Sequence, residues 1–296
     1  MSYSASRFVI TLLVSLGLIG LQSAAFAKQS DNQITWAGCG ITKKAFMSEL
    51  AKAYEEKTGI HVMLQGGGAT RGIRDTVKMK MDMGGSCRMS LPGQERSELY
   101  AALHPVAWDA LVIVINKQNK IKNLSKKQIR DIYLGKITNW KEVGGQNARI
   151  NLYIRRGKIS GVGYAIRQYL FQDSNLEFVT KSKYTMRSSG PLEKSIEKDR
   201  SGIGITGVSS ARKRNIKIIS IDNKSPTYEN VKLGKYLLYR PLYLVTTPTP
   251  SSKVKEFVSF AMSKEGRKII RENGTVPYQD APRLMSKMLI YGFDVK

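Results

Sequence analysis

Cysteine and histidine are almost missing from this chain, and their scarcity removes several chemistries at once. Only Cys39 and Cys87, and only His61 and His104, occur among 296 residues. A structural zinc site needs a closely spaced Cys/His ligand set, and none is present. His61 falls in a strand-like run and His104 precedes Pro105, so neither has the surroundings of a general base. An HExxH helix, a GxSxG nucleophile elbow and a P-loop are all lacking. With no catalytic, cofactor or metal-ligating set, the sequence points away from an enzyme. Internal repeats and low-complexity tracts are absent too. Acid is scarce: 23 Asp and Glu stand against 48 Lys and Arg, a formal net charge of +25. That balance favours anionic partners through long-range steering, while a Lys-rich solvated surface accounts for most of the charges. Arg212-Lys213-Arg214 reads as a solvated loop, and no nucleic-acid partner is expected.

The chain has one long apolar run near its start, Phe8 to Leu21, which follows Arg7 and leads to the small-residue site Ala25-Phe26-Ala27. This predicts a secretory signal peptide over 1–27, cleaved after Ala27. The run is too short and too close to that site for a good membrane span. Removing 27 residues leaves 269, and because Arg7 is the only charge lost, the net charge falls to +24. No Cys follows the site, which argues against lipid attachment. Export places Cys39 and Cys87 in an oxidising compartment, so a disulfide between them is expected; the alternative is two buried small hydrophobes.

What remains reads as alternating strands and helices. Ile34 to Ala37 leads through Gly38-Cys39-Gly40-Ile41-Thr42 into a helix with Phe46, Leu50, Ala53 and Tyr54 on one face, stopped at Thr58-Gly59. His61 to Gln65, the turn Gly66 to Thr70 with its helix, and Met81 to Gly85 followed by Ser86-Cys87-Arg88 continue in βαβα order, which implies a parallel sheet. Val106 to Ile115 is an almost unbroken apolar run, long enough to cross from one lobe to another. Ser125 and Gln128 form a capping box for a helix that turns Ile129, Ile132 and Tyr133 inward. Tyr239 to Val245 reads as the return.

Gly135 to Trp140 reads GKITNW, and the run Ile150 to Ile154 then enters Arg155-Arg156-Gly157-Lys158-Ile159-Ser160-Gly161. A basic fork before a Ser-Gly turn that opens a helix describes an anion site: unpaired N–H groups and the helix dipole meet there, and Arg156 can add a bidentate fork.

These residues resemble the substrate-binding proteins of phosphate ABC transporters and their PstS-like relatives, and the likeness extends over nearly the whole mature chain. It is strongest at Asp82 to Arg88, Val106 to Asn116, Gly135 to Trp140 and the C-terminal third. The resemblance implies an α/β, type II periplasmic-binding-protein fold with two hinge crossovers, each lobe a mainly parallel sheet flanked by helices. Lobe one would comprise 28–109 and 239–296, and lobe two 110–238. It also implies four ligand loops, to which this sequence contributes Gly40, Ile41 and Thr42; Ala69 and Thr70; Ser86, Cys87 and Arg88; and Arg156, Ser160, Gly161 and Val162. Cys87 stands where typical phosphate binders carry an Asp that accepts the ligand's proton, which weakens discrimination against fully ionised anions such as sulfate. Val162 replaces a hydroxyl donor. The implied function is an exported, periplasmic, monomeric solute-binding protein that takes a small oxyanion, most simply phosphate, to an ABC transporter permease without cofactor. The alternatives are a receptor or surface-interaction protein that has lost transport and, further off, a secreted phosphatase.

Overall fold

The apolar runs of the sequence become strands, and the order in which they pair sets the architecture. In the computed structural model, which describes residues 32–291, the strands are β1 (Gln33–Gly38), β2 (His61–Gln65), β3 (Met83–Ser86), β4 (Ala102–Asn116), β5 (Asn123–Leu124) and β6 (Asn151–Arg155). They continue as β7 (Lys183–Met186), β8 (Gly202–Gly207), β9 (Ile216–Ile221), β10 (Tyr239–Thr246) and β11 (Val276–Pro277). The expected signal peptide over 1–27 lies outside the described residues.

Strand order is β2-β1-β3-β10-β4-β8-β6-β7, with β11 and β9 also on β4 and β5 on β9. The pairs β1–β3, β6–β8 and β6–β7 are parallel, as strands joined through helices must be. Around β4 the pairing is antiparallel. Ala102 to Ala110 pairs with β10, whereas Leu111 to Asn116 pairs with β8 and β9. One strand therefore serves both halves of a two-lobed α/β body, and the sheet is mixed because β4 and β10 run past each other in opposite directions. The continuous apolar run of β4 follows from this placement, since both its faces are covered and Val106 to Ile115 is buried throughout.

Helices follow the strands as their caps predict. Gly59 ends the helix Ser48–Thr58 in the left-handed region, with φ of 73°, and Ser125 with Gln128 forms the capping box of Lys126–Tyr133. No helix among the described residues is long and apolar enough to cross a membrane.

One contact brings the first ligand loops together. The helix Ala69–Val77 lies on β1 and β3 through facing glycines: a Cβ on Gly84 would come 2.0 Å from the Gly72 carbonyl oxygen, and one on Gly72 would come 2.4 Å from that of Gly85. A Cβ on Gly38 or Gly85 would strike the Trp36 ring, which is fully buried. Backbone cannot yield as a flexible side chain does, so the packing requires residues without side chains. Gly84→Ala should lower stability in denaturant unfolding by about 1–3 kcal/mol, the usual cost of overpacking. Gly93→Ala, where an added Cβ meets nothing within 4 Å, should stay within about 0.5 kcal/mol of the parent.

Candidate functional site

Three helices begin where parallel strands end. Gly40–Thr42, continued by Lys43–Met47 and Ser48–Thr58, follows β1; Ala69–Val77 follows β2; Gly161–Ile166, continued by Arg167–Phe171, follows β6. Their first turns converge. A Cβ placed on Gly161 would lie 2.2 Å from Cys87 Sγ and 3.1 Å from Ala69 Cβ, and one on Gly68 would lie 4.0 Å from Arg155 Nη2. First-turn N–H groups have no intrahelical partner, so their convergence makes a region of positive potential.

The arginine at this centre is Arg155, not Arg156. Arg155 is 9 % exposed; its Nη2 donates to the Arg187 carbonyl at 2.8 Å and its Nη1 lies 3.4 Å from Ser189 Oγ. Its Nε is buried without a hydrogen-bond partner. Arg156 is exposed. The reversal follows from the strand: Arg155 is the last residue of β6, and neighbouring strand residues point to opposite faces.

A second cation, absent from the expected set, lies below. Arg240 on β10 is 1 % exposed and stands opposite Asp109 on β4. Its Nη1 donates to the carbonyls of Cys87 and Gly161, both at 3.0 Å, and its Nη2 is 3.7 Å from Asp109 Oδ2. Arg240 Nε and Nη2 and Asp109 Oδ2 have no hydrogen-bond partner. Burial pushes the Asp109 carboxyl up, against the pull of Arg240 and of Ser209, whose N–H and hydroxyl both reach Asp109 Oδ1.

The cysteines are brought together, but as two free, buried thiols rather than the expected disulfide. Cys39 caps its helix, accepting from Thr42 N at 3.2 Å and lying 2.7 Å from Thr42 Oγ1. The thiol hydrogen bond from Cys39, then the charges of Arg240 and Arg155, hold Cys87 well below the usual thiol range against its burial. Cys39 moves the other way, raised by burial and by its neighbour Cys87. Of the pair, Cys39 therefore holds its proton more tightly and Cys87 ionises more readily.

Several expected ligand hydroxyls are occupied. Ser160 Oγ donates to the Gly157 carbonyl at 2.7 Å and accepts from Gly163 N at 3.2 Å. Ser86 Oγ donates to the Arg88 carbonyl at 2.6 Å and accepts from Arg88 N at 3.1 Å. Both serines close turns, a role short hydroxyls commonly take. Arg88 is held by Glu98 through two contacts, at 2.8 and 3.0 Å, and donates through Nε to the Ile159 carbonyl at 2.8 Å. Thr70 reaches that carbonyl too, at 3.3 Å, and accepts from Arg88 Nη2. Gly40, Ile41, Ala69, Gly161 and Val162 bring backbone to the centre, Val162 with its side chain fully buried. Among the described residues no group of three or more His, Cys, Asp or Glu could hold a metal ion.

Arg155 and Arg240 are the two central residues that lie outside the expected ligand set. A signal existed for Arg240, a lone charge in the apolar run Tyr239 to Val245.

Known proteins share this architecture. Phosphate-binding protein PstS of Bacillus subtilis is 25 % identical over 263 residues, covering 87 % of this chain and 85 % of the relative. That of Borreliella burgdorferi is 33 % identical over 57 % of this chain and 63 % of its own. A solved structure of a putative phosphate ABC transporter substrate-binding protein with bound phosphate, from Clostridium perfringens, superposes with a TM-score of 0.74 at 25 % identity, over 83 % of this chain and 99 % of that one. An ABC-type phosphate transport receptor from Vibrio cholerae gives 0.64 at 27 % identity, over 82 % and 99 %. The family model described as the PBP superfamily domain matches residues 27–265, and with a match of that extent the chain belongs to the PBP superfamily.

Proposed function

We propose that this protein is an exported solute-binding protein that captures phosphate between its lobes and hands it, as a monomer, to the permease of an ABC transporter. The observation that carries the reading is the buried guanidinium of Arg155 set among three helix starts. Phosphate-binding relatives of the same architecture support the choice of anion. The lobes are 28–109 with 239–296 and 110–238. The division is supported by the change of β4 partners after Ala110 and by the bond from Leu111 N to the Leu238 carbonyl at 2.7 Å.

The mechanism is closure. First-turn N–H groups of Gly40, Ile41, Ala69, Thr70, Gly161 and Val162 would supply donors and Arg155 the charge. Lobe approach expels water, which strengthens each contact. Arg88 and Thr70 reach across to the Ile159 carbonyl on one side, and Lys44 Nζ reaches Ser210 Oγ at 2.9 Å and Glu193 Oε2 at 3.5 Å on another.

Cys87 acquires a part that a neutral thiol could not play. As a thiolate it would accept a hydrogen bond from the O–H of hydrogen phosphate, while fully ionised sulfate has no proton to offer and faces like charge in a poorly solvated cleft. The weakened discrimination expected from losing an Asp at this position is thereby offset.

Calorimetric titration with phosphate tests the main reading. Arg155→Ala should weaken binding by about 1.5–3 kcal/mol, the scale of a hydrogen bond to a charged group. Arg156→Ala should match the parent; an equal loss there would return the exposed arginine to the site. Saturable binding with no hydrolysis of p-nitrophenyl phosphate is expected, and turnover would replace this reading with an esterase. Competition titrations test Cys87: sulfate should displace phosphate more readily below a pH of about 6, where the thiol regains its proton, than above it. Cys87→Ala should flatten that dependence, and a parent profile already flat would remove the thiolate from selectivity.

A further inference from the structure

The positive charge of this chain is unevenly placed. Residues 110–238 hold 26 Lys and Arg against 9 Asp and Glu, so this stretch carries +17 of the total +25. Strand register shows where part of that excess gathers. The ligand loops lie at the carboxyl ends of the parallel strands, beyond Arg155 of β6. At the opposite end, Ile115 of β4 pairs with Ile203 of β8, Asn151 of β6 with Gly202, and Leu152 with Lys183 of β7. The end of β4 and the beginnings of β8, β6 and β7 therefore form one rim. Lys117 follows β4, Lys198 and Arg200 precede β8, Arg149 precedes β6 and Lys181 precedes β7, and all five side chains are exposed.

None of these five has an acidic partner among the described residues; Lys117 Nζ meets only the amide oxygen of Asn215, at 3.1 Å. The two acids nearby are engaged by neutral groups. Asp199 accepts from Asn151 Nδ2, the Tyr153 hydroxyl and Ser201 N, and Glu197 accepts from Asn215 N. Four adjacent strands at about 4.8 Å spacing give the rim a width of roughly 15 Å. Counting Glu197 and Asp199, the rim holds five basic against two acidic side chains and presents a net excess of positive charge to solvent.

We propose that this rim docks the protein on an anionic lipid bilayer. A row of cations on strand ends suits a surface that is read by charge density rather than by shape, and such attraction acts within a Debye length, about 8 Å at physiological salt. A nucleic acid would be better served by aromatic platforms or a groove-entering helix, and the rim residues offer neither. Because the rim and the cleft occupy opposite ends of the same strands, a docked molecule keeps its cleft open to solvent for capture and has to leave the lipid surface to deliver its solute to a permease. The proposal does not depend on which solute the cleft takes.

The test is cosedimentation of the mature chain with vesicles of phosphatidylcholine alone and of phosphatidylcholine mixed with phosphatidylglycerol, in buffer free of phosphate. Binding is expected only to the mixed vesicles and should fall as NaCl rises. A variant combining Lys117→Gln, Arg149→Gln, Lys181→Gln, Lys198→Gln and Arg200→Gln should lose at least about tenfold in vesicle partition. Its calorimetric affinity for phosphate should match the parent, which separates this result from a failure of the cleft. A second variant of equal net charge, with Lys52, Lys78, Lys80, Lys255 and Lys264 each changed to Gln, should partition like the parent. Equal losses in both variants, no preference of the parent for the anionic vesicles, or rim substitutions that abolish binding to a DNA duplex while sparing vesicle binding would each overturn the proposal.

Discussion

A single buried cation organises the middle of this molecule. Arg240 lies where β4 and β10 run side by side, opposite Asp109, and its guanidinium holds the carbonyls of Cys87 and Gly161. Taking a charge out of water costs several kcal/mol unless partners replace the solvent, so the surroundings must be built around it. Gly207 is part of that accommodation: a Cβ there would come 2.3 Å from Asp109 Oδ2. The same guanidinium helps to lower the pKa of the Cys87 thiol. Chain crossing, cleft floor and site potential are therefore one arrangement, and a change at Arg240 would be felt in all three.

The site divides its labour between backbone and side chains. In the proposed site, backbone N–H groups at three helix starts would supply donors whose positions are set by the fold, and Arg155 would supply the charge. Ser86, Ser160 and Arg88, expected among the ligand residues, also bond the loops themselves. Preorganisation of this kind lets a loop meet an anion without first ordering itself, which is where binding free energy is otherwise lost.

Much of the fold was legible because buried strands read as apolar runs and helix ends carry chemical signatures. The run Val106 to Ile115, the box of Ser125 with Gln128 and the stop at Gly59 all reappear as structure. Arg155 was not legible, for a physical reason. In an exposed strand, alternation of polar and apolar residues fixes which of two neighbours points inward, but Leu152 to Arg155 is buried on both faces, so the period is silent. For the serines the sequence leaves two roles open, because their hydroxyls can bond either a ligand or the adjacent turn and composition does not say which. The free thiols depended on Thr42, Arg155 and Arg240, groups distant in sequence from at least one of the pair.

The contact across the cleft at Ile159 has a consequence for how such a protein can change over generations. Arg88 and Thr70 both grip a main-chain carbonyl, which every residue type at that position would present equally. In the proposed closure, this grip is insulated from substitution at position 159. In the proposed mechanism, the groups that discriminate among anions could therefore be changed while the clasp stays intact, so chemical preference and mechanical action need not be altered together.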